Sequence, residues 1–271
     1  MKKSIIATLC LLLMLAIALA GKAAAYNASY THTDYSGTTA PTIDGQYTTS
    51  TEYSSAASIG FGTDAVYRAF WVTVTNVQEF MIVETMDTTN DAGDYYVICY
   101  DSAADGGTTP NTDDFKIVIT GHGTSATQQW FRGTGTGWSS VTPPATAVFN
   151  FKESLATSPT STTPHYMVEM TVDKQETATF GISIIGINYA MRVSYNDTHT
   201  GTGTVQAWPP SPATDDIPDG WGYMPADLSG SVPESFSIII IVALSSIAIV
   251  AGSVLLRKHT KIAKQPSASM P

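Results

Sequence analysis

The residues best placed to do chemistry are an acidic loop and a tryptophan hairpin. "DSAADGGTTPNTDD", residues 101–114, sets Asp101, Asp105, Asn111, Asp113 and Asp114 between two apolar runs. Carboxylate and amide oxygens converging from two strand ends suit a structural Ca²⁺, and repulsion among four acids favours a bound cation. The stretch opens like an EF-hand loop, but Ala103 stands at a ligand position and Thr112 where a bidentate Glu belongs, so it is not one. The competing reading is a solvated turn whose Asp and Asn side chains bond their own backbone.

In "QWFRGTGTGW", residues 129–138, Trp130 and Trp138 bracket Arg132 on an expected hairpin. An indole face packs on pyranose C–H groups while Gln129 or Arg132 bonds the hydroxyls, so Gln129, Trp130, Arg132 and Trp138 are candidate ligand residues. Trp71, central in a strand, could face a solvent platform or the core. The competing reading has the tryptophans plugging one end of the domain. Trp208 and Trp221, in "AWPP" and "DGWGYM", read as structural.

Enzyme motifs are missing. His32, His122, His165 and His199 never stand at zinc-ligand spacing, no G-x-S-x-G occurs, and Gly133, Gly135 and Gly137 lack the Lys of a phosphate loop. Glu84 and Glu169 are strand-borne carboxylates of the kind a glycosidase pairs, but Glu169 lies on the polar face of an alternating strand, where a solvated charge is the ordinary explanation. The chain reads as non-enzymatic.

The elements that position these residues are strands. Phe70 and Val72 oppose Trp71 and Thr73, and Tyr166, Val168, Met170 and Val172 oppose Met167, Glu169, Thr171 and Asp173, the period-two pattern of half-buried strands. Further strands are expected at 80–85, 95–100, 115–120, 128–132, 147–151 and 204–208. The apolar phase of 180–195 changes midway, which predicts a bulge or break near Ile185 and Gly186. Nine or ten short strands joined by Gly, Asp and Pro turns predict an all-β fold, a single antiparallel, jelly-roll-like β-sandwich, with an up-and-down barrel second.

The ends place the domain. Lys2 and Lys3, an apolar run and an Ala-rich cleavage region make 1–25 a signal peptide, helical as such segments are. Residues 238–256 carry no charge and are followed by Arg257, Lys258, Lys261 and Lys264. That run is long enough to cross a bilayer core and predicts a single transmembrane helix with the basic tail in the cytoplasm and the domain outside. The organisation is then signal peptide 1–25, N-terminal extension 26–39, sandwich 40–224, juxtamembrane linker 225–235, span 236–256 and tail 257–271, and the protein is placed in the cell membrane.

All 23 acidic side chains lie between Asp34 and Glu234, with six basic ones among them, a balance of −17. Such a surface repels phosphate backbones, so no nucleic acid is expected as partner. Cys99 is the one cysteine left after signal removal and reads as a small buried hydrophobe. Asn27 and Asn196 open N-x-[ST] sequons on segments expected at the surface, where they could carry glycans.

"APTIDGQYTTSTEYSSA", from Ala40, carries a Pro-x-Ile-Asp-Gly and then a Glu-aromatic pair, Glu52 and Tyr53, and in this it resembles the opening of carbohydrate-binding module family 9 and the wider DOMON-like sandwiches. "YYVICYDSAADGG" with "DDFKIVITG", then "YMVEMTVDK", "INYAMRVSYND" and "WPPSPATDDIPDGWGYM", look like its later stations, in order. The resemblance implies an antiparallel β-sandwich that binds carbohydrate, here a cell-envelope glycan or oligosaccharide, with a terminal sugar held between two tryptophans drawn from Trp71, Trp130 and Trp138. In some branches it implies haem, for which Met81, Met86, Met167, Met170, Met191 and His165 are available. The tail "VPESFS", apolar span and "RKHTK" resembles archaeal surface-protein sorting signals, although Ser235 splits their Pro-Glu-Phe. Beside a glycan receptor stands a second reading, a structural envelope or surface-layer component.

Overall fold

The computed structural model describes residues 26–73, 77–174, 188–199 and 204–227. Within them the chain forms two facing sheets and almost no helix. The larger sheet runs β1 (Asn27–Thr31), β14 (Gly222–Pro225), β12 (Asn188–Asp197), β6 (Tyr95–Asp101), β7 (Asp114–Thr120), β8 (Thr127–Gly133) and β9 (Trp138–Val141), with β13 (Thr204–Trp208) also paired to β12. The smaller runs β10 (Phe149–Ser158), β11 (Ser161–Asp173), β5 (Val77–Glu84), β4 (Ala65–Thr73) and β2 (Tyr35–Ser36), with β3 (Ala57–Phe61) on β4.

This is the β-sandwich that the alternation predicts, and each expected strand within the described residues is present. The break expected near Ile185 and Gly186 lies outside those residues, as do the signal peptide, the span, the tail and most of the linker. Among the described residues no helix is long and apolar enough to cross a membrane.

Two pairings depart from a purely antiparallel sandwich. β1 runs parallel to β14 and β2 parallel to β4. Both belong to residues 26–39, expected as an extension; instead that segment contributes a strand to each sheet. Strands of five and two residues carry too little alternation to announce themselves.

Alternate side chains build the core. Tyr96, Ile98 and Tyr100 of β6, Phe115, Ile117 and Ile119 of β7, Trp130 of β8 and Tyr189 and Met191 of β12 meet Tyr67, Met81, Val83, Val168, Met170 and Val172 from the smaller sheet. Burying each is worth about 1.5–3 kcal/mol against leaving it in water.

The outer faces are also covered in part, which is why β4 reads as nearly continuous apolar sequence. Phe70, Val72, Phe80, Ile82 and Met167 on the back of the smaller sheet lie under Tyr47 and Tyr53. Glu169 is fully buried there, not a solvated charge: it accepts the N–H groups of Asp44 at 2.8 Å and Gly45 at 3.0 Å and the Tyr53 hydroxyl at 2.8 Å. Burial lifts its carboxyl to about 7 against the pull of those donors. Gly45 turns there at φ +83°, with the Lys152 and Glu153 backbone 3.0 Å from where a Cβ would stand. The Ile-Asp-Gly and Glu-Tyr pieces of the sequence are thus one hydrogen-bonded clamp over β11. On the back of the larger sheet, Val97, Cys99 and Ala190 pack with Trp221. Cys99 is a buried free cysteine whose thiol pKa is raised by burial, as its strand position predicts.

Candidate functional site

The five expected ligand residues do not come together. Trp130 is 2% exposed and points into the core, parallel to Phe115 at 5.8 Å and edge-on to Phe149 at 5.0 Å, with its Nε1 donating to Gln128 at 2.9 Å. Trp71 is also buried and donates its Nε1 to the Asp34 carbonyl. Neither offers a face to a ligand, so the expected clamp of two tryptophans is not formed. Arg132 shares Trp130's side of β8, where its Nε donates to the Thr112 carbonyl at 2.7 Å.

Trp138 and Gln129 remain, on the opposite face. β8 and β9 pair Gly133 with Trp138 and Phe131 with Ser140, while β7 and β8 pair Lys116 with Phe131 and Val118 with Gln129. Strand pleat therefore puts Trp138, Phe131, Lys116, Val118, Gln129 and Ser140 on one surface, the outer face of the larger sheet. Trp138, Phe131 and Val118 are half-buried, and Gln129 and Ser140 are exposed.

This surface is held by contacts beneath and beside it. The Trp138 ring lies parallel to buried Trp221, centroids 6.4 Å apart, and its Nε1 donates to Asp216 at 2.8 Å. The Lys116 ammonium lies 4.7 Å from the Trp138 ring centre, 5.5 Å from that of Phe131 and 3.8 Å from Asp216. Phe131, Lys116 and Asp216 were not foreseen. The cross-strand register that joins them is not written in any one stretch of sequence. Beside β13 lies a cleft of about 400 Å³ bounded by Arg192, Gln206, Ala207 and Pro210, but no aromatic side chain among the described residues lines it.

The acidic loop supports the hairpin that carries Trp138. Gly135 N–H donates to the Pro110 carbonyl at 2.7 Å, Thr109 Oγ1 to the Gly135 carbonyl at 2.8 Å, and a Cβ on Gly133 would stand 2.0 Å from the Asn111 carbonyl oxygen. Gly107 and Asp219 exchange two further bonds, tying the loop to the segment that ends in Trp221.

Within the loop three of the five expected ligand residues bring oxygens together. Asp101, Asp113 and Asp114 each bring a carboxylate oxygen within 4.8 Å of the others, and Asn111 Nδ2 donates to Asp105 at 3.0 Å. Asp101 accepts Gly106 N–H at 2.7 Å and Asp114 accepts Asn111 N–H at 2.7 Å. The other Asp114 oxygen is buried with no hydrogen-bond partner. Burial, only partly offset by those N–H donors and reinforced by neighbouring acids, raises Asp101 to about 6 and Asp114 to about 8. An orphaned buried carboxylate oxygen among hard oxygen donors fits a Ca²⁺ ion.

The other candidates fare differently. Met81, Met167, Met170 and Met191 are fully buried, and both His165 nitrogens are engaged, Nδ1 with the Thr163 carbonyl at 2.8 Å and Nε2 with Glu84 at 3.0 Å. Met86 is half-buried, but with both His165 nitrogens engaged none of these methionines is paired with an open imidazole. Glu84, though buried, is held at about 2 by His165, Ser158, Thr160 and Arg68, and it sits in an ion pair with Arg68 at 2.6 Å. Asn27 is half-buried at the start of β1, whereas Asn196, expected on a surface segment, is 6% exposed within β12.

No family model and no curated protein matches the sequence. Among solved structures, the sandwich is similar to a carbohydrate binding module family 9 from Caldicellulosiruptor kristjanssonii in complex with cellotriose (TM-score 0.48, 14% identity, 74% of this chain and 98% of that one). It is also similar to a candidate carbohydrate-binding protein from Bacteroides uniformis (TM-score 0.43, 10% identity, 72% and 100%). At these values the likeness transfers neither a ligand nor a site.

Proposed function

We propose that the protein is a non-enzymatic cell-surface receptor, held by a C-terminal membrane span, whose sandwich binds carbohydrate on the outer face of its larger sheet. The observation that carries this reading is Trp138: a half-exposed indole locked by Trp221 and Asp216, beside Phe131, Lys116 and Gln129. A pyranose lays its C–H face on such rings, while the Lys116 ammonium and the Gln129 amide meet its hydroxyls. Ca²⁺ in the 101–114 loop stiffens the hairpin on which the platform is built. The placement outside the cell rests on the signal peptide, the uncharged run 238–256 and the basic tail.

The test is a glycan array probed with the full chain in detergent, wild type and Trp138→Ala. Loss of a central aromatic anchor is expected to weaken binding roughly tenfold or more. Absence of binding by the wild type, or binding undiminished in the variant, overturns the proposal.

A further inference from the structure

At one end of the core three ionisable side chains meet out of water. Lys174, immediately after β11, places Nζ 2.8 Å from Asp34 Oδ2 and 2.7 Å from Glu79 Oε2. Asp34 and Glu79 are 0% exposed and Lys174 is 4% exposed. Asp34 is fixed by its backbone, which donates to the Pro225 carbonyl and accepts from Asp227 N–H and from Trp71 Nε1. Lys174 is fixed likewise, its N–H donating to the Val77 carbonyl at 2.9 Å. The Tyr189 ring lies 4.9 Å from Nζ, and the Tyr189 hydroxyl donates to Glu79 Oε1 at 2.5 Å. Asp34 Oδ1 has no hydrogen-bond partner.

An amine held against a carboxyl group, beside a second carboxyl and away from water, is the arrangement amide formation needs. We propose that Lys174 and Asp34 are joined by an intramolecular isopeptide bond, formed with Glu79 as proton carrier. Nζ attacks Asp34 Cγ, the new N–C bond forms, one Cγ–O bond breaks, and the oxygen leaves as water. Glu79 takes the two protons that Nζ loses, one at a time, and passes each to the departing oxygen, ending in the protonation state in which it began. The ammonium and carboxylate become a neutral amide plus one water, so no oxidant or activating group is required.

Fixed proximity supplies a large effective concentration for this step. Exclusion of water removes the reagent of the reverse reaction. Burial moves the Glu79 carboxyl up to about 7, against the pull of Lys174, a value suited to passing protons in both directions near neutral pH. Burial also opposes the Lys174 charge, but Asp34 and Glu79 outweigh it and hold the amine above its ordinary value, which is why a base must touch Nζ for it to react.

Trypsin reads the bond directly, because it does not cut at an acylated lysine. From the denatured wild-type full chain the expected product is a branched peptide, residues 153–192 joined to the peptide that ends at Arg68 and contains Asp34, lighter than the sum of the two by one water. A free peptide 153–174 from folded wild-type protein, with Lys174 unmodified, overturns the proposal. Glu79→Gln keeps the side-chain shape but cannot carry the proton, and is expected to release peptides 153–174 and 175–192 separately. A linked product at wild-type yield in Glu79→Gln removes Glu79 from the mechanism. Should Glu79→Gln not fold, the wild-type digest alone decides whether the bond exists.

Discussion

Three sets of carboxylates among the described residues differ in what closes them. Asp34 and Glu79 close on Lys174. Asp94 and Glu153 close on His122, at 3.0 and 2.6 Å, with Asp87 at 3.5 Å. In the 101–114 loop, Asp101 and Asp114 close instead on the N–H groups of Gly106 and Asn111. A full positive charge stabilises a buried acid far more than an amide dipole does. Burial still prevails over Lys174 at Glu79, which rises to about 7, and more so over N–H donors at Asp114, which rises to about 8. The interior sets close on basic side chains of the chain itself, and we propose that the loop takes its counter-charge from solution as Ca²⁺.

Removing Lys174 tests the first set and has the largest expected effect. Lys174→Met leaves Asp34 as an unlinked buried carboxyl group beside Glu79. It removes a crosslink between residues 140 apart, which by the loop-entropy argument contributes ~5 kcal/mol. Thermal unfolding should show a midpoint lower by roughly 10 °C or more. A drop of only a degree or two would mean that the buried triplet matters no more than a surface pair.

Calcium tests the loop. At about a hundredfold excess over the dissociation constant, Ca²⁺ should stabilise the wild type by about 2.7 kcal/mol and leave Asp114→Asn much less changed, read by calorimetry with and without chelator. The pH dependence has a definite sign. Asp101 and Asp114 have folded values near 6 and 8, above their unfolded value of 3.8, so the native state holds more protons and stability without metal falls as pH rises through that window. Calcium takes the ionised oxygens, so its affinity should rise across the same interval. Affinity independent of pH between about 5 and 8 would place the ion elsewhere.

How much of this was legible depends on the distance over which each signal acts. Strand periodicity is local, and β5 to β8 and β11 fall where the alternation puts them. The convergence of Asp101, Asp113 and Asp114 was legible for the same reason, since one loop carries them. The tryptophans were not. Trp130 and Trp138 belong to one hairpin, yet which face each takes depends on the register across its glycine-rich turn, and a slip of one residue exchanges the faces. Trp71 alternates correctly, but alternation cannot say that both sides of β4 are covered. The Lys174 set was hidden altogether: Asp34, Glu79 and Lys174 come from three distant segments, and Lys174 ends a strand as an ordinary surface lysine would.

The smallest effect separates His122 from the loop. Burial opposes its charge, but Glu153 and Asp94 outweigh that and raise its pKa above 6.5. Asp87 faces the same ring, which stacks on Tyr166 at 3.8 Å with Tyr96 edge-on at 6.3 Å. The protonated form is therefore the one the fold prefers. Its contribution is complete below the unfolded value and is lost as pH rises through the folded one. Asp101 and Asp114 produce a slope of the same sign, so the measurement belongs in saturating Ca²⁺, where theirs is suppressed. Under that condition the wild type should still lose stability from neutral to alkaline pH, and His122→Gln should lose less. Parallel profiles for the two proteins would show that His122 is neutral in the fold, and that its acids are closed by hydrogen bonds rather than by charge.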